Sequence, residues 1–442
     1  MEKVLVANRG EIALRILDAC REQGLSAVAV FSEPERGAMH VREAAESVCI
    51  GPADPRRSYL SVPALMAACE VTGADGLHPG YGFLSESAEL AEICAAHNIT
   101  FVGPSPEVLS RAGDKAHAKT MVKEAGIPVL QGSEPIGSME QLNGEADELG
   151  FPLLLKAAAG GGGRGIRVVR RREELNQSFT RAQEEALAAF GDRRVYLERF
   201  VPSPRHVEVQ VLGDTNGNVV HWGTRDCTVQ RRHQKLVEEA PAPGLPPGVR
   251  KKLSQTAVGA AEALGYVGAG TVEFLIEGDE YYFIEINPRI QVEHPVSEVL
   301  VGRNLISEQL RITQGEPLGY RQGQVEFWGH AIECRINAED PGRDYLPSSG
   351  TLCLRQLPGG VGVRVDSALY HGMPILPYYD PLLAKVIAFG ETREEARIRM
   401  YAALRRFRVS GVSTNRELLI EVVSHPDFAA GRLGTDFLEH MS

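Results

Sequence analysis

Four consecutive glycines place the strongest local constraint on how this chain can fold. Residues 157–165 read AAAGGGGRG. Glycines cannot pack a core, and each loses much backbone entropy on ordering, so the run does not belong inside a helix or strand. FPLLLKA (151–157) before it is typical of a buried strand, and GIRVVRR (165–171) after it is β-branched without a helix start signal. The glycine loop, residues 160–165, is therefore predicted to join two strands.

This placement limits what the glycine loop can bind. Gly160, Gly162 and Gly165 satisfy the GxGxxG pattern, but a dinucleotide site needs a helix after the loop, and no GxxxxGK[ST] motif is present. The two interpretations left open are a glycine hairpin over phosphates, as in kinases but on a different fold, and a flexible surface turn. Lys156, on the preceding strand, favours phosphate.

The composition of the whole chain narrows the class of protein. Its 442 residues suffice for two to four domains. The net charge of −11 gives no indication of the basic surface that nucleic-acid-binding proteins carry. Seven cysteines without a C-x-x-C pair indicate reduced thiols, a cytoplasmic protein and no zinc site. The first 20 residues do not resemble a signal peptide, and no apolar run approaches the roughly 18 residues of a membrane span, so we expect no membrane partner.

Alternating strand and helix patterns in the first hundred residues predict an open, mostly parallel α/β sheet. Ligands bind beyond the carboxyl ends of such strands, which makes ANRGE (7–11), HPGYGFLSE (78–86) and VGPSPE (102–107) candidate site loops. A helical stretch from about 107 to 126 is predicted to lead into a smaller unit at about 130–202. Strands dominate from 203 to about 300, and the remaining residues mix strands with a late amphipathic helix.

The segment FIEINPRIQVEHP (283–295) carries the strongest indication of a site. Every odd position from 285 to 293 is polar, and every even position from 286 to 292 is apolar. A period of two places the five polar groups on one face of an extended segment. A solvated strand face is the alternative, but it would usually carry Thr, Ser and Lys. The mixed series therefore favours a functional face: Glu285, Asn287, Arg289, Gln291 and Glu293.

The stretch just before this segment predicts a pair of facing carboxylates. TVEFLIEGDEYYFIE reads as a hairpin that turns at EGDE and places Glu273 roughly opposite Glu285. Facing carboxylates repel unless a cation lies between them. With Asn287 they form a set of oxygen ligands that suits Mg²⁺ near a nucleotide, although a surface acidic cluster is the alternative.

Two other stretches concentrate polar groups. RHVEVQVLGD (205–214) alternates His206, Glu208 and Gln210 with valines, and RDCTVQRRHQKLVEEAPAP (225–243) holds a basic cluster. In an acidic protein such a cluster is either a local anion trap or a solvated charge run. The cluster consists of Arg231, Arg232, His233 and Lys235.

With these stretches assembled, the chain resembles the biotin carboxylases, a family of ATP-grasp enzymes. The shared motifs cover nearly the whole length and include VANRGEIALRI, GYGFLSE, KAAAGGGGRGIRVV, QRRHQK, EEAPAP, EINPRIQVEHPV, GHAIECRINAEDP, PYYD and GVSTN. The resemblance implies an N-terminal open parallel α/β domain (1–112), an ATP-grasp domain (113–325) with a mobile glycine-rich lid subdomain (130–202), and a C-terminal mixed α+β domain (326–442). It also implies carboxylation of biotin by bicarbonate with ATP and Mg²⁺ or Mn²⁺, usually by a homodimer.

The same resemblance implies roles for individual residues. Lys115 and Lys156 would contact ATP phosphates beneath Gly162 and Gly163. Glu198, Arg199, Phe200 and Val201 would hold adenine through backbone groups. The nucleotide pocket would be lined by His206, Gln230 and His233, and the metal ligands beside ATP would be Glu273, Glu285 and Asn287. The bicarbonate cradle would consist of Lys235, Arg289, Gln291, Val292 and Glu293. Arg335 would face biotin, with Tyr81 nearby.

The implied chemistry explains why these residue types occur together. Glu293 as general base would remove the bicarbonate proton for attack on the γ-phosphate, while Arg289 and Lys235 hold the anion. The product, carboxyphosphate, hydrolyses readily, so the lid subdomain must exclude water. It releases CO₂ and phosphate, this phosphate would deprotonate biotin, and Arg335 would stabilise the enolate-like oxygen.

Some residues depart from the family pattern, and the absence of a biotin-acceptor motif bears on whether the chain is a separate subunit. Ala159 stands where the family often has a fifth glycine, Arg199 is often Lys, and Pro288 is a threonine in some members. The chain lacks the Met-Lys-Met acceptor of biotin-carrying domains and has no residues past 442. We therefore expect a free-standing subunit of an acetyl-CoA carboxylase that acts on a biotin carboxyl carrier protein and works with a carboxyltransferase.

Three alternatives stay open at this point. The final acceptor could also be propionyl-CoA or pyruvate, because the first half-reaction is nearly the same in all these systems. A different ATP-grasp ligase, of carbamoyl-phosphate or purine metabolism, would share the nucleotide site. A catalytically silent regulatory subunit is the third.

Overall fold

The structure is a computed structural model that describes residues 1–158 and 165–441, apart from the side chains of residues 115–117 and Phe190. The predicted site residues Gly162 and Gly163 and the side chain of Lys115 therefore lie outside the described residues. Among the helices that are described, none is both long and apolar enough to cross a membrane.

The first hundred residues form the predicted open parallel sheet, with strand order β3-β2-β1-β4-β5. Its inner strands are continuous apolar runs because helices cover both faces of a parallel sheet. At its carboxyl edge Asn8 donates to the carbonyls of Pro79 and Tyr81, which ties two candidate site loops together. The elements are β1 Lys3–Val6, α1 Gly10–Glu22, β2 Ser26–Ser32, α2 Met39–Glu43, β3 Glu46–Gly51, α3 Val62–Thr72, β4 Gly76–His78, α4 Ala88–Ala96 and β5 Thr100–Phe101.

The helical stretch predicted over about 107–126 is confirmed, and in the structure it is divided into two helices. They are α5 Pro106–Gly113 and α6 Lys115–Glu124. Between them Asp114 has extended backbone angles (φ −85°, ψ 97°). The break follows Gly113, a residue type with low helix propensity.

A small antiparallel sheet follows, with strand order β7-β6-β8. Strands β6 and β7 pair from Leu153↔Val169 to Lys156↔Ile166, which confirms that the glycine loop joins strand to strand. The two ends of this unit meet at a bridge between Gly132 and Glu198. We call it the glycine-loop sheet; its elements are α7 Met139–Leu149, β6 Leu153–Ala157, β7 Ile166–Val169, α8 Leu175–Phe190 and β8 Val195–Arg199.

The central part of the molecule is built on an antiparallel sheet whose first strands are in the order β13-β12-β9-β10-β11. Its valines and phenylalanines pack against α9 in one buried cluster. The elements are β9 Arg205–Gly213, β10 Val219–Arg231, β11 Gln234–Ala240, α9 Pro247–Leu264, β12 Gly268–Glu277, β13 Glu280–Asn287, α10 His294–Val301 and α11 Leu305–Thr313.

The same sheet continues across the predicted boundary at 325/326. Strand β11 pairs with β14, and the order runs on as β14-β20-β18, giving eight strands. The C-terminal elements are β14 His330–Asn337, β15 Glu339–Asp340, β16 Leu346–Pro347, β17 Gly350–Gln356, β18 Val363–Ser367, β19 Met373–Ile375, β20 Leu382–Gly390, α12 Arg393–Arg406, β21 Arg408–Ser410, α13 Arg416–Ser424, α14 Pro426–Ala429 and α15 Phe437–His440.

The prediction of one extended segment over 283–295 is only partly correct. Strand β13 ends at Asn287, residues 288–293 form an irregular loop, and α10 begins at His294. The strand ends there because Pro288 has no N–H to donate to a neighbouring strand. The polar residues after Asn287 therefore reach the site from a loop, and the period-two argument does not place them.

Candidate active site

Three carboxylates lie side by side across strands β9, β12 and β13. Glu273 is in register with Glu208 on one side and with Glu285 on the other. The predicted opposition of Glu273 and Glu285 is thus confirmed. Asn287 donates its amide to Glu273 Oε1 at 2.9 Å. So many acidic groups in one row require cations close by.

Lys235 supplies the nearest cation. Its Nζ lies 2.7 Å from Glu208 Oε2, 3.0 Å from Glu273 Oε1 and 2.7 Å from Glu293 Oε1. Burial lowers the pKa of Lys235, but the surrounding acidic groups outweigh it and raise that pKa well above its usual value. We call Glu208, Glu273 and Glu293 around Lys235 the carboxylate cluster.

The loop 288–293 brings its polar side chains to this cluster although it is not a strand. Gln291 donates to Glu273 Oε1 at 3.0 Å, and Arg289 donates to Asn287 Oδ1 at 3.0 Å. Arg289 also donates to Glu86 Oε1 at 2.6 Å, which joins the candidate loop 78–86 of the parallel sheet to the site. The cradle residues predicted from the sequence therefore converge.

His206 and Gln230 also border the cluster. His206 Nε2 lies 2.9 Å from Glu273 Oε2, and its Nδ1 lies 2.9 Å from the Gln230 amide. Burial lowers the pKa of His206, but the adjacent Glu273 raises it, and the net shift is upward. His233 is exposed in the β10–β11 turn, and no hydrogen bond among the described residues joins it to this group.

Arg335 closes the other end of the cluster. Its guanidinium donates to Glu293 Oε2 at 2.8 Å and to Glu238 Oε1 at 2.5 Å. Burial raises the pKa of Glu293, but Lys235 and Arg335 outweigh burial, so the pKa is lowered and Glu293 stays ionised. Glu293 is thus an anion held between two cations.

Tyr81 is connected to this region through a buried lysine. The Tyr81 hydroxyl bonds to Glu11, whose Oε1 lies 3.1 Å from Lys385 Nζ. Lys385 stands opposite Arg335 across β14 and β20 and donates to the Val292 carbonyl at 3.0 Å. The loop containing Val292 is therefore fixed to both terminal parts of the chain.

A second ion-pair group lies where the glycine-loop sheet meets the central sheet. The Glu198 carboxylate is buried and pairs with the ammonium groups of both Lys156 and Lys119. Burial raises the pKa of Glu198, but the two lysines outweigh it and lower that pKa to about 2. Arg199, the last residue of β8, donates to Glu277 at 2.9 Å. In the connection that follows, Phe200 is half-buried and Val201 is buried.

Sequence reasoning missed a fully buried cation of the site, Arg225. Its guanidinium is fully buried, pairs with Glu208, and donates to oxygens on Gln210 (2.6 Å) and Gln291 (2.8 Å). The alternation of Glu208 and Gln210 with valines predicts a polar strand face. Because that face is buried, its carboxylate needs a cation from a neighbouring strand. The alternation of polar residues with valines is therefore the sequence feature that could have indicated a partner such as Arg225. Other missed site residues are Glu11, Lys119, Glu208, Glu238 and Lys385.

The donor chemistry fits a hard divalent cation. Glu273, Glu285 and Asn287 offer oxygen atoms on adjacent positions of β12 and β13. His206, Glu208 and Glu273 also place one ligand atom each within 4.8 Å of one another. Carboxylate-rich oxygen sets of this kind suit Mg²⁺.

Three protein families match consecutive parts of the chain. The biotin carboxylase N-terminal domain matches residues 1–109, the ATP-binding domain of the carbamoyl-phosphate synthase L chain matches 114–321, and the biotin carboxylase C-terminal domain matches 333–440. Together they account for nearly the whole sequence.

Individual relatives match over nearly their full length. The biotin carboxylase of Pseudomonas aeruginosa is 52% identical over 99% of this chain and 98% of its own. A pyruvate carboxylase subunit of Methanothermobacter thermautotrophicus is 44% identical over 99% of this chain and 89% of its own.

Solved structures agree with these sequence matches. A biotin carboxylase from Campylobacter jejuni, in complex with an ATP ligand, superposes with a TM-score of 0.97 at 44% identity, covering 99% of this chain and 98% of that one. The biotin carboxylase domain dimer of Hydrogenobacter thermophilus 2-oxoglutarate carboxylase, with MgADP, ADP and bicarbonate, gives 0.96 at 46% identity, covering 99% and 97%.

Proposed function

The chain belongs to the biotin carboxylase family, and we propose that it is a free-standing subunit that carboxylates the biotin of a separate carrier protein. Members of this family are ATP-grasp ligases, so the activity is ATP-dependent carboxylation of biotin with Mg²⁺ and bicarbonate. The observation that carries the proposal is the contact of Lys235 with three carboxylates, one of which faces Glu285. It places an anion cradle directly beside a set of cation ligands.

Each part of the cradle is suited to one task. Glu293 is ionised and hydrogen-bonded, so it acts as the base that takes the bicarbonate proton when it exchanges a cation contact for the substrate. Arg289, held by Asn287 and Glu86, presents a planar fork to the anion. Glu273, Glu285 and Asn287 would hold Mg²⁺, which neutralises charge on the nucleotide phosphates during phosphoryl transfer.

The nucleotide is assigned to the junction between the glycine-loop sheet and the central sheet. Lys156 would leave Glu198 for the ATP phosphates, while residues 198–201 hold adenine through backbone groups and His206 and Gln230 line the pocket. Lys115, Gly162, Gly163 and His233 keep the roles that the resemblance implies. The carboxyphosphate formed there must be shielded from water by the glycine loop until Arg335 meets biotin.

A direct assay tests the activity. The purified chain, given MgATP and free biotin, is expected to hydrolyse ATP in a manner that depends on bicarbonate and to transfer labelled bicarbonate carbon to biotin. ATP cleavage without any requirement for bicarbonate, or without labelled product, would contradict the proposal.

The substitution Glu293→Gln tests the assigned base. We expect it to lower kcat by about 10²- to 10⁴-fold, since an amide cannot accept the bicarbonate proton. Glu316→Gln is the matched control, because Glu316 lies outside the site in an exposed pair with Arg311. Equal activity of both variants would remove Glu293 from its role.

The acceptor system is proposed to be that of an acetyl-CoA carboxylase, with a biotin carboxyl carrier protein and a carboxyltransferase as partners and a homodimer as the working form. The full-length match to a biotin carboxylase supports a separate subunit, and the match to a pyruvate carboxylase subunit keeps pyruvate as the second candidate. The dimeric state of the Hydrogenobacter domain supports the homodimer, and seven unpaired cysteines support a reducing compartment such as the cytoplasm.

Identifying the proteins that bind this chain distinguishes among the three candidate carboxyl acceptors. The tagged chain is used to recover its biotinylated carrier and transferase, and the recovered assembly is then supplied with acetyl-CoA, propionyl-CoA or pyruvate. Carboxylation of acetyl-CoA alone is expected. Carboxylation of pyruvate instead would overturn this part of the proposal and leave the biotin carboxylase activity intact.

A further inference from the structure

Two glutamates face each other beside Arg335, and neither is used by the chemistry described above. Glu238 on β11 is in register with Glu333 on β14, and both side chains are fully buried. Like charges directly opposite each other in a sheet are destabilising, and each uncompensated buried charge adds a desolvation penalty. The pair is therefore expected to carry one negative charge.

Their hydrogen bonds identify the charged member. Glu238 Oε1 accepts from Arg335 Nε at 2.5 Å. Neither oxygen of Glu333 has a hydrogen-bond partner among the described residues. Burial raises the pKa of Glu333 well above its usual value. The charge of Lys385 opposes this rise, and the charge of Glu238 adds to it. Burial also raises the pKa of Glu238, to about 7, and Arg335 opposes that rise. Because Glu238 accepts from Arg335 and Glu333 does not, we assign the charge to Glu238 and the proton to Glu333.

The surrounding charges are consistent with this division. The groups that face the pair are Arg335 on β14, Lys385 on β20, Lys235 on β11 and Glu293 just before α10. Lys385 is already bonded to Glu11 and the Val292 carbonyl, and Lys235 to the carboxylate cluster. Of these described cations, Arg335 is the one that donates a hydrogen bond to a member of the Glu238–Glu333 pair.

We propose that Glu238 is a positioning residue for Arg335 and that a neutral Glu333 leaves the charge of Glu238 fully engaged with that guanidinium. The proposal rests on the proposed function, in which Arg335 faces biotin. In the structure Arg335 is shared between Glu238 and Glu293. When Glu293 turns to bicarbonate, Glu238 keeps hold of Nε, so the remaining N–H groups stay aimed at the biotin oxygen.

Kinetics of two isosteric variants test this role in the full-length chain. Glu238→Gln is expected to lower kcat for carboxylation of free biotin about 10²-fold, because a misplaced guanidinium loses its alignment with the reacting group. Bicarbonate-dependent ATP cleavage without biotin should fall far less, by less than about 5-fold. Glu333→Gln should change neither rate by more than about 3-fold, since glutamine replaces a group that is already neutral.

Infrared difference spectra give a readout that does not depend on turnover. The wild-type protein minus Glu333→Gln should show a carboxylic-acid C=O band at pH 7, and wild type minus Glu238→Gln should lack it. The reverse pattern would overturn the assignment, even if one variant were inactive through poor folding. Equal losses of ATP cleavage and carboxylation in Glu238→Gln would overturn the positioning role.

Failure of the proposed function would look different. If the wild-type chain itself did not carboxylate biotin, the kinetic comparison would have no reference and the biotin-related role of Glu238 would fall with it. The infrared result would still decide which of the two glutamates carries the proton. The two failures are therefore distinguishable.

Discussion

Arg225 is the residue on which the geometry of the site most depends. It is fully buried and links Glu208 on β9, Thr271 on β12 and Gln291 in the loop before α10. Arg225→Met is expected to destabilise the protein by about 3 kcal/mol or more, because it leaves a buried carboxylate and several acceptors without their donor. Denaturant unfolding, followed by circular dichroism, measures the change.

A surface pair provides the control for Arg225. Arg432 and Asp427 form an ion pair with side chains 68% and 44% exposed. Arg432→Met should change the free energy of unfolding by less than about 1 kcal/mol, as exposed pairs contribute little. Similar losses in the two variants would show that Arg225 acts as an ordinary surface charge.

Glu198 makes the stability of the protein depend on pH. Its pKa in the folded state is about 2, because the attraction of Lys156 and Lys119 outweighs the effect of burial. A depressed pKa contributes stability above the unfolded-state pKa of about 4.3, and that contribution is lost as the pH falls toward 2. Wild type should exceed Glu198→Gln in unfolding free energy by on the order of 3 kcal/mol at pH 6–8, with a smaller difference below about pH 4. A difference that stays constant with pH would contradict this.

For single residues, the sequence predicts contacts between neighbours in the chain better than contacts between residues that are far apart in the chain. The hairpin turn at EGDE is local, so it sets Glu273 opposite Glu285 without further information. Arg225 meets Gln291 from 66 residues away, and Lys385 meets Val292 from 93. These contacts depend on which strands become neighbours, and no local pattern determines that.

The connection between the glycine-loop sheet and the central sheet is tightly packed. A Cβ on Gly132 would lie 2.6 Å from the Leu197 carbonyl oxygen, closer than atoms in contact allow. Gly132→Ala is therefore expected to displace the end of β8 and raise the KM for ATP several-fold, with little change in the KM for bicarbonate. Steady-state kinetics with each substrate varied in turn check this.

Gly144 is the matched control within the same unit. It lies in α7, and a Cβ there meets nothing within 4 Å. Gly144→Ala should leave both KM values unchanged and raise stability by about 0.5–1 kcal/mol through better helix propensity. If Gly144→Ala changed the KM for ATP as much as Gly132→Ala, packing at β8 would not be the cause.

Elements with strong periodicity are predictable, and their ends are not. The strands around the glycine loop follow from the apolar run of β6, the β-branched residues of β7 and the glycines between them. The break between α5 and α6 and the end of β13 at Asn287 depend on single residues, Gly113 and Pro288, inside longer patterns. The loop 288–293 still delivers Gln291 and Glu293 to Glu273 and Lys235, so these side chains converge as predicted although a strand does not place them.

At the scale of the molecule, one sheet joins regions that the sequence suggested were separate domains. Strand β11 pairs with β14, and Leu236 and Val237 pack in the same buried cluster as Val386 and Met400. A chain truncated after residue 325 would expose the edge of β11 together with this apolar surface. We expect that fragment to aggregate on expression, as measured by light scattering and by its yield in the soluble fraction.

Removal of the glycine-loop sheet is the corresponding control. Its core residues lie between Ile136 and Leu197 and form their own cluster, and its two ends meet at Gly132 and Glu198. A chain in which a short glycine linker replaces residues 133–197 should remain soluble and unfold cooperatively, although without activity. Aggregation of both truncated chains to the same extent would argue against the shared sheet as the reason.

The contact of Lys235 with three acidic side chains has a consequence for how the enzyme discriminates among dissolved ions. The pocket supplies its own counter-ions, so an incoming anion gains only the difference between the bonds it makes and the bonds it displaces. Under the roles proposed above, chloride, which cannot use a planar fork and has no proton to give Glu293, gains little from that exchange. The proposed anion site should therefore bind abundant anions such as chloride weakly. It should favour an anion that can replace each hydrogen bond and ion pair that it displaces.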